Sequence, residues 1–176
     1  MIVSGGMSLV PLVSILLFGA ACGGVAAEAP LTLKLGIPRD QATTQLRSHQ
    51  YCHTTDGPPQ NLETYPRCKR AGTEWGESWV TARFEANTLV EVRRWERYTD
   101  DNAAVERWNA LVAERLKLGG DDPSALDALK ARGPLESGTR SVKAFRVDPK
   151  TVVAVYLLTP SPPEDASVLE AIVRVK

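Results

Sequence analysis

Residues 79–98 read WVTARFEANTLVEVRRWERY. Val80, Ala82 and Phe84 alternate with other side chains and so share one face of a strand. Glu85-Ala86-Asn87-Thr88 has turn chemistry, and Leu89 to Tyr98 reads as the returning strand. The stretch predicts an antiparallel β-hairpin. Directly after it, Thr99-Asp100-Asp101-Asn102 offers N-cap residues and places acids at the positive end of a helix. Val105, Trp108, Leu111, Val112 and Leu116 then recur at helical spacing, and Gly119-Gly120 stops the run. A hairpin followed by an amphipathic helix predicts an α+β domain in which that helix packs across the sheet. Trp108 is expected in the core.

Downstream, Asp122 is the expected N-cap and Pro123 the first residue of a second helix through SALDALKAR, ended by Gly133-Pro134. Gly138 to Arg140 reads as loop and Ser141 to Val147 as a strand. Asp148-Pro149-Lys150 reads as a turn and Thr151 to Leu158 as a strand apolar on both faces, which suits the interior of a sheet. A Pro-rich loop, TPSPPED, leads to a last strand from Val168 to Val175, with Leu169, Ala171, Val173 and Val175 on one face. Upstream, a strand-like LTLKL (residues 31–35) precedes Pro38, which suits a first helical turn. A helix through RDQATTQLRSHQ would bury Ala42, Leu46 and His49. No internal repeat is visible. The expected fold is a two-layer α+β domain over residues 28–176, with an antiparallel sheet against two or three helices.

The first 27 residues are a different material. The chain has 21 basic and 21 acidic residues, and all of them lie from Glu28 onward. Leu9 to Ala21 (LVPLVSILLFGAA) is an apolar run too short to span a bilayer, which needs about 20 residues. It matches the hydrophobic region of an export signal. Gly19-Ala20-Ala21-Cys22 reads as a lipobox with Cys22 lipidated, although Gly19 stands where Leu is usual. Val25-Ala26-Ala27 offers the alternative of ordinary cleavage and release. No Lys or Arg precedes the run, a departure that a misassigned start codon would explain.

Zero net charge argues against nucleic acid as a partner and gives no reason to expect electrostatic docking on an anionic membrane. Three cysteines in an exported chain need an explanation. Lipid on Cys22 leaves Cys52 and Cys68 as a disulfide pair in an oxidising compartment. The loop between them, HTTDGPPQNLETYPR, has little core of its own, and a bridge would contribute roughly 3 kcal/mol. A metal site of His49, Cys52, His53 and Cys68 is the competing reading, because zinc takes such ligands. The spacing matches no recognised finger, and both histidines also read as ordinary polar surface beside a disulfide.

No nucleophile elbow, metalloprotease motif, phosphate-binding loop or dinucleotide glycine pattern occurs, and no cofactor is expected. Glu74 with Glu77, and Asp100 with Asp101, read as turn and cap acids. Trp75, Trp79 and Trp95 gather around the hairpin with Arg93, Arg94 and Arg97, and these residue types are enriched in binding hot spots. The bland alternative is a Trp79–Trp95 cross-strand pair with arginines stacked on it.

With its lipobox cysteine, the LGIPRDQATTQL stretch after a short tether, and the spacing of Phe84, Leu89 and Val92, the chain resembles the SmpA/OmlA (BamE-like) class of small envelope lipoproteins. The resemblance implies a two-layer α+β fold and a scaffolding role in outer-membrane assembly. The chain departs from that class in its long Cys52–Cys68 insertion and in the helix and three strands after Asn102. The expectation is a non-catalytic envelope lipoprotein that binds another envelope protein and touches the membrane through its lipid only. A secreted inhibitor module using the Trp/Arg surface is the alternative.

Overall fold

The structure is a computed structural model, and it describes residues 28–53, 59–68, 78–159 and 165–175. The elements are α1 (Arg39–Ser48), β1 (Leu62–Pro66), β2 (Ser78–Glu85), β3 (Thr88–Tyr98), α2 (Asp101–Leu118), α3 (Ser124–Arg132), β4 (Thr139–Asp148), β5 (Thr151–Leu158) and β6 (Ala166–Arg174). The strands form one antiparallel sheet of six in the order β1-β2-β3-β6-β5-β4. The fold is α+β, with helices packed on the sheet. Among the described residues no helix is long and apolar enough to cross a membrane.

The hairpin forms where its alternation places it. Ala86 and Asn87 turn it with φ of 45° and 64°, the left-handed pair that a two-residue hairpin turn requires. Arg39 holds this turn from α1, its backbone N–H donating to the Asn87 carbonyl at 3.0 Å and its Nε to Asn87 Oδ1 at 3.0 Å. Val80, Ala82, Phe84, Leu89 and Val92 are fully buried against Ala42 and Leu46 of α1. All eight residues of β5 are buried, because it lies one strand in from the edge and both its faces are covered.

The helices divide between the two faces. Val153, Val155 and Leu157 of β5 face α1 and α2, whereas Val152, Ala154, Tyr156 and Leu158 face Ala125 and Leu129 of α3. The chain thus runs helix, three-stranded meander, helices, three-stranded meander, and β3 pairs with β6 at the centre. This is an approximate two-fold arrangement of two α-β-β-β units, although the sequence shows no repeat. The edge strand β4 is partly capped: the Arg146 N–H donates to the Gly120 carbonyl at 2.8 Å. Such a cap discourages strand addition by another chain.

Four expectations change. Leu31 to Leu35 alternates but joins no strand; Leu31 and Leu33 bury into the core from an extended segment. His49 is not a buried helical residue but the C-cap of α1. Pro123 stands at the N-cap of α3, with Asp122 Oδ1 accepting the Ser124 N–H at 2.8 Å from one residue further out. Finally, the Cys52–Cys68 segment contains β1, which adds to the sheet beside β2 and buries Tyr65 completely.

Candidate functional site

Alternation along β3 sorts the RRWER stretch between two environments. Arg93, Trp95 and Arg97 point to the sheet face away from α1 and α2, and Arg94 and Glu96 point beneath α2. On the first face Trp79 and Trp95 are direct cross-strand partners. Their rings lie 6.1 Å apart and 9° from parallel, and both are half-buried. The Arg97 guanidinium sits 5.5 Å from the Trp79 ring centroid. Further along, Glu91 meets Arg83 at 2.8 Å and also pairs with Arg93 and Arg132, while Arg93 reaches Glu136 at 2.8 Å. Burial alone would push the Glu91 carboxyl up, but the hydrogen bonds and charges of Arg93 and Arg132 outweigh it and hold the carboxyl below its ordinary value.

The structure therefore brings Trp79, Arg93, Trp95 and Arg97 together on one face. Arg94 is a correction: its exposure is 0%, so it belongs to no surface. Its neighbour in sequence faces outward, and period-two geometry sends Arg94 inward. Trp75 and Cys22 lie outside the described residues, as do Glu74, Glu77 and most of the TPSPPED loop.

Beneath α2 is a buried charge cluster. Arg94 Nη2 lies 2.8 Å from Glu170 Oε2, and Arg115 also pairs with Glu170, which is 1% exposed. Arg107 donates to both oxygens of Glu96, at 2.7 and 2.8 Å, and Tyr98 donates to Glu96 at 2.7 Å. Burial pushes Glu96 up, but Arg107 and Arg94 more than compensate and its carboxyl sits below the ordinary value. Burial likewise opposes the charge on Arg94, yet Glu170, Glu96 and Glu28 keep it more firmly protonated than a free guanidinium.

The same arginines grip the N-terminal segment. Arg107 donates to the Glu28 carbonyl at 2.7 Å, Arg94 to the Ala29 carbonyl at 2.8 Å, and Arg115 to the Leu31 carbonyl. In return the Leu31 N–H donates to Glu170 at 3.0 Å. The Glu28 carboxylate pairs with Arg67 and accepts from Tyr51 at 2.8 Å, and Tyr51 contacts Ser78 at 2.8 Å. Residues 28–33 form a strap laid between α2 and the sheet.

The strap also takes part of the buried face of α2. Of the expected apolar stripe, Leu111 is fully buried and Val105, Trp108 and Val112 pack partly buried against the core, while Ala104, Arg107 and Arg115 are the other buried residues. Leu116 is 44% exposed, and Trp108 is half-buried with its Nε1 donating to the Val155 carbonyl at 3.1 Å. The helix is turned so that two arginines reach Glu96, Glu170 and the strap. An arginine three or four residues from a buried leucine is the sequence signal for this, but solvated arginines show the same spacing.

Cys52 and Cys68 are joined by a disulfide, with Cα atoms 4.8 Å apart. Around it the Cys52 N–H donates to the Pro66 carbonyl at 2.9 Å and the Cys68 N–H to the Gln50 carbonyl at 2.8 Å. The bridge fastens the end of α1 to the end of β1. This overturns the metal site of His49, Cys52, His53 and Cys68, because a disulfide sulfur is not a thiolate ligand. Among the described residues no group of three or more His, Cys, Asp or Glu is placed to hold a metal ion. His53 instead stands 3.7 Å from Glu63 and 5.1 Å, ring to ring, from Tyr65. Burial and the hydrogen bond to Glu63 push the Tyr65 hydroxyl up to about 12.

In comparisons with known proteins, no family model, no curated protein and no solved structure matches this chain.

Proposed function

We propose that this chain is a non-catalytic, lipid-anchored domain of the bacterial envelope, attached through Cys22 to the outer membrane and facing the periplasm. In this reading it binds another envelope protein through Trp79, Trp95, Arg93 and Arg97. One observation carries the reading. The stacked Trp79–Trp95 pair, edged by the Arg97 guanidinium, lies on the sheet face opposite α1 and α2. Among the described residues α3 lies over β4 and β5 on this face, Arg132 pairs with Glu91 of β3, and Trp95 packs against the edge of the cluster that holds Ala125 and Leu129. Rigid aromatics with a flanking guanidinium offer contact area at low entropic cost. The leader and the odd cysteine, whose two companions are bridged, support export and lipidation.

Two measurements in the native host test this. Mass spectrometry of the mature protein should find cleavage before Cys22 and a diacylglyceryl mass on it; a released chain starting at Glu28 would overturn the anchor. A photo-crosslinking residue at Thr81, beside Trp79 on the same face, should capture a protein that the same probe at exposed Lys150 does not. Identical capture from both positions, or loss of none of it in Trp79→Ala, would overturn the assigned surface.

A further inference from the structure

Where the fold grips its own N-terminus restricts how a lipid-anchored form can stand on a membrane. The Glu28 carbonyl is held by Arg107 and its carboxylate by Arg67 and Tyr51, so the chain is immobilised from its first described residue. Only six residues, Cys22 to Ala27, separate that grip from the lipid position. Six residues span at most about 20 Å fully extended, and about 13 Å on average if they behave as a flexible coil. A domain of this size has a radius of gyration of about 15 Å and is therefore roughly 40 Å across. A 20 Å tether cannot run around it to present the opposite end.

Glu28 lies at a definite end of the sheet. Tyr51 bridges it to Ser78, the first residue of β2, and Arg107 links it to Glu96, near the end of β3. Trp79 and Trp95 are at this end, on the opposite face, with the Cys52–Cys68 bridge beside them through the Pro66–Trp79 pair. The turns at Asn87 and Lys150 are at the other end, since Thr151 pairs with Arg174 and Glu91 with Val173. Among the described residues the near end carries both signs of charge, Arg47, Arg97 and Arg140 against Asp100 and Asp101, all exposed. The length of the tether therefore sets the orientation.

We infer that the Cys52–Cys68 end of the domain rests against the phospholipid headgroup layer, with the Asn87 and Lys150 turns pointing away from the bilayer. This rests on the lipidation of Cys22 proposed above. The Trp79–Trp95 face then opens beside the membrane surface, within reach of a membrane-seated partner and not of one standing deeper in the compartment.

The test is energy transfer in vesicles. Purified full-length lipoprotein, with a donor dye on Thr99→Cys or on Lys150→Cys, is inserted into phosphatidylethanolamine/phosphatidylglycerol vesicles carrying an acceptor on the headgroup. Thr99 and Lys150 are exposed and stand at opposite ends of strands about 30 Å long. Transfer from position 99 should exceed that from position 150 by at least about twofold over this separation, and inserting twenty Gly/Ser residues after Gly24 should erase the difference. Equal transfer from both positions in a protein shown by mass to carry lipid overturns the orientation alone. A protein whose Cys22 carries no lipid overturns both the orientation and the anchor.

Discussion

Glu170 is the residue whose removal should cost most. It is 1% exposed, faces Arg94 and Arg115 at once, and accepts the Leu31 N–H of the strap. Glu170→Ala takes the paired carboxylate from Arg115, leaves Arg94 with Glu96 and Glu28 alone, and leaves one backbone donor without its acceptor. Breaking a buried pair from one side costs about 3–5 kcal/mol, because the orphaned charge keeps its desolvation penalty. For a domain of about 150 residues each kcal/mol moves the melting temperature by about 2–4 °C, so the expected fall is roughly 6–20 °C. Urea denaturation at pH 7, followed by far-UV circular dichroism, measures the free energy directly. The double variant Glu170→Ala/Arg115→Met separates charge from packing: its loss should fall short of the two single losses combined by at least about 1 kcal/mol. A single-variant loss below about 1 kcal/mol, or strict additivity in the cycle, would refute a buried, water-excluded network.

Other perturbations report on separate parts of the fold. Glu91 and Glu96 are held below their ordinary value of 4.5, so the stability they contribute is fully present above that pH and is lost as pH falls through their folded values. The urea midpoint should be flat above about pH 6 and drop below about pH 4.5, with a shallower drop in Glu96→Gln; a profile unchanged down to pH 3 contradicts the ion pairing. Reducing the disulfide releases a loop with a sequence separation of 16 and should cost about 3 kcal/mol, read as a lower midpoint in dithiothreitol than without it. Equal midpoints would mean that β1 holds this loop without the bridge. Gly120 has a φ of 84°, and a Cβ there would stand 2.3 Å from the Arg146 carbonyl oxygen. Gly120→Ala should cost about 1–3 kcal/mol and unprotect the Arg146 amide in hydrogen exchange, whereas retained protection would show that the cap tolerates the shift.

Much of the fold was legible because local signals agreed with one another. The hairpin at 79–98, α2 between its aspartate cap and paired glycines, and the apolar β5 each have a pattern that one kind of element satisfies. β1 was not legible: LETYP is short, contains Pro and has little apolar alternation, and its strand character comes from the free edge of β2 and from the bridge at Cys68. Of the surface cluster, Trp79, Arg93, Trp95 and Arg97 were legible by residue type. Residue type groups Arg94 with them, whereas alternation along β3 sends it to the buried face.

By itself the sequence determined the hairpin, the helices and the last three strands, though not β1, and it made Cys52 and Cys68 natural partners once Cys22 is assigned elsewhere. These follow from short-range periodicity and from counting. Only the tertiary structure decided which face each helix covers, how far α2 is turned, and that Arg94, Arg107 and Arg115 are internal. The reason is electrostatic: an arginine enters a protein interior only when carboxylates and carbonyls distant in the chain arrive to meet it. Here they come from Glu96, Glu170 and the strap at 28–31, which have no mutual pattern in the sequence until the sheet closes between β3 and β6.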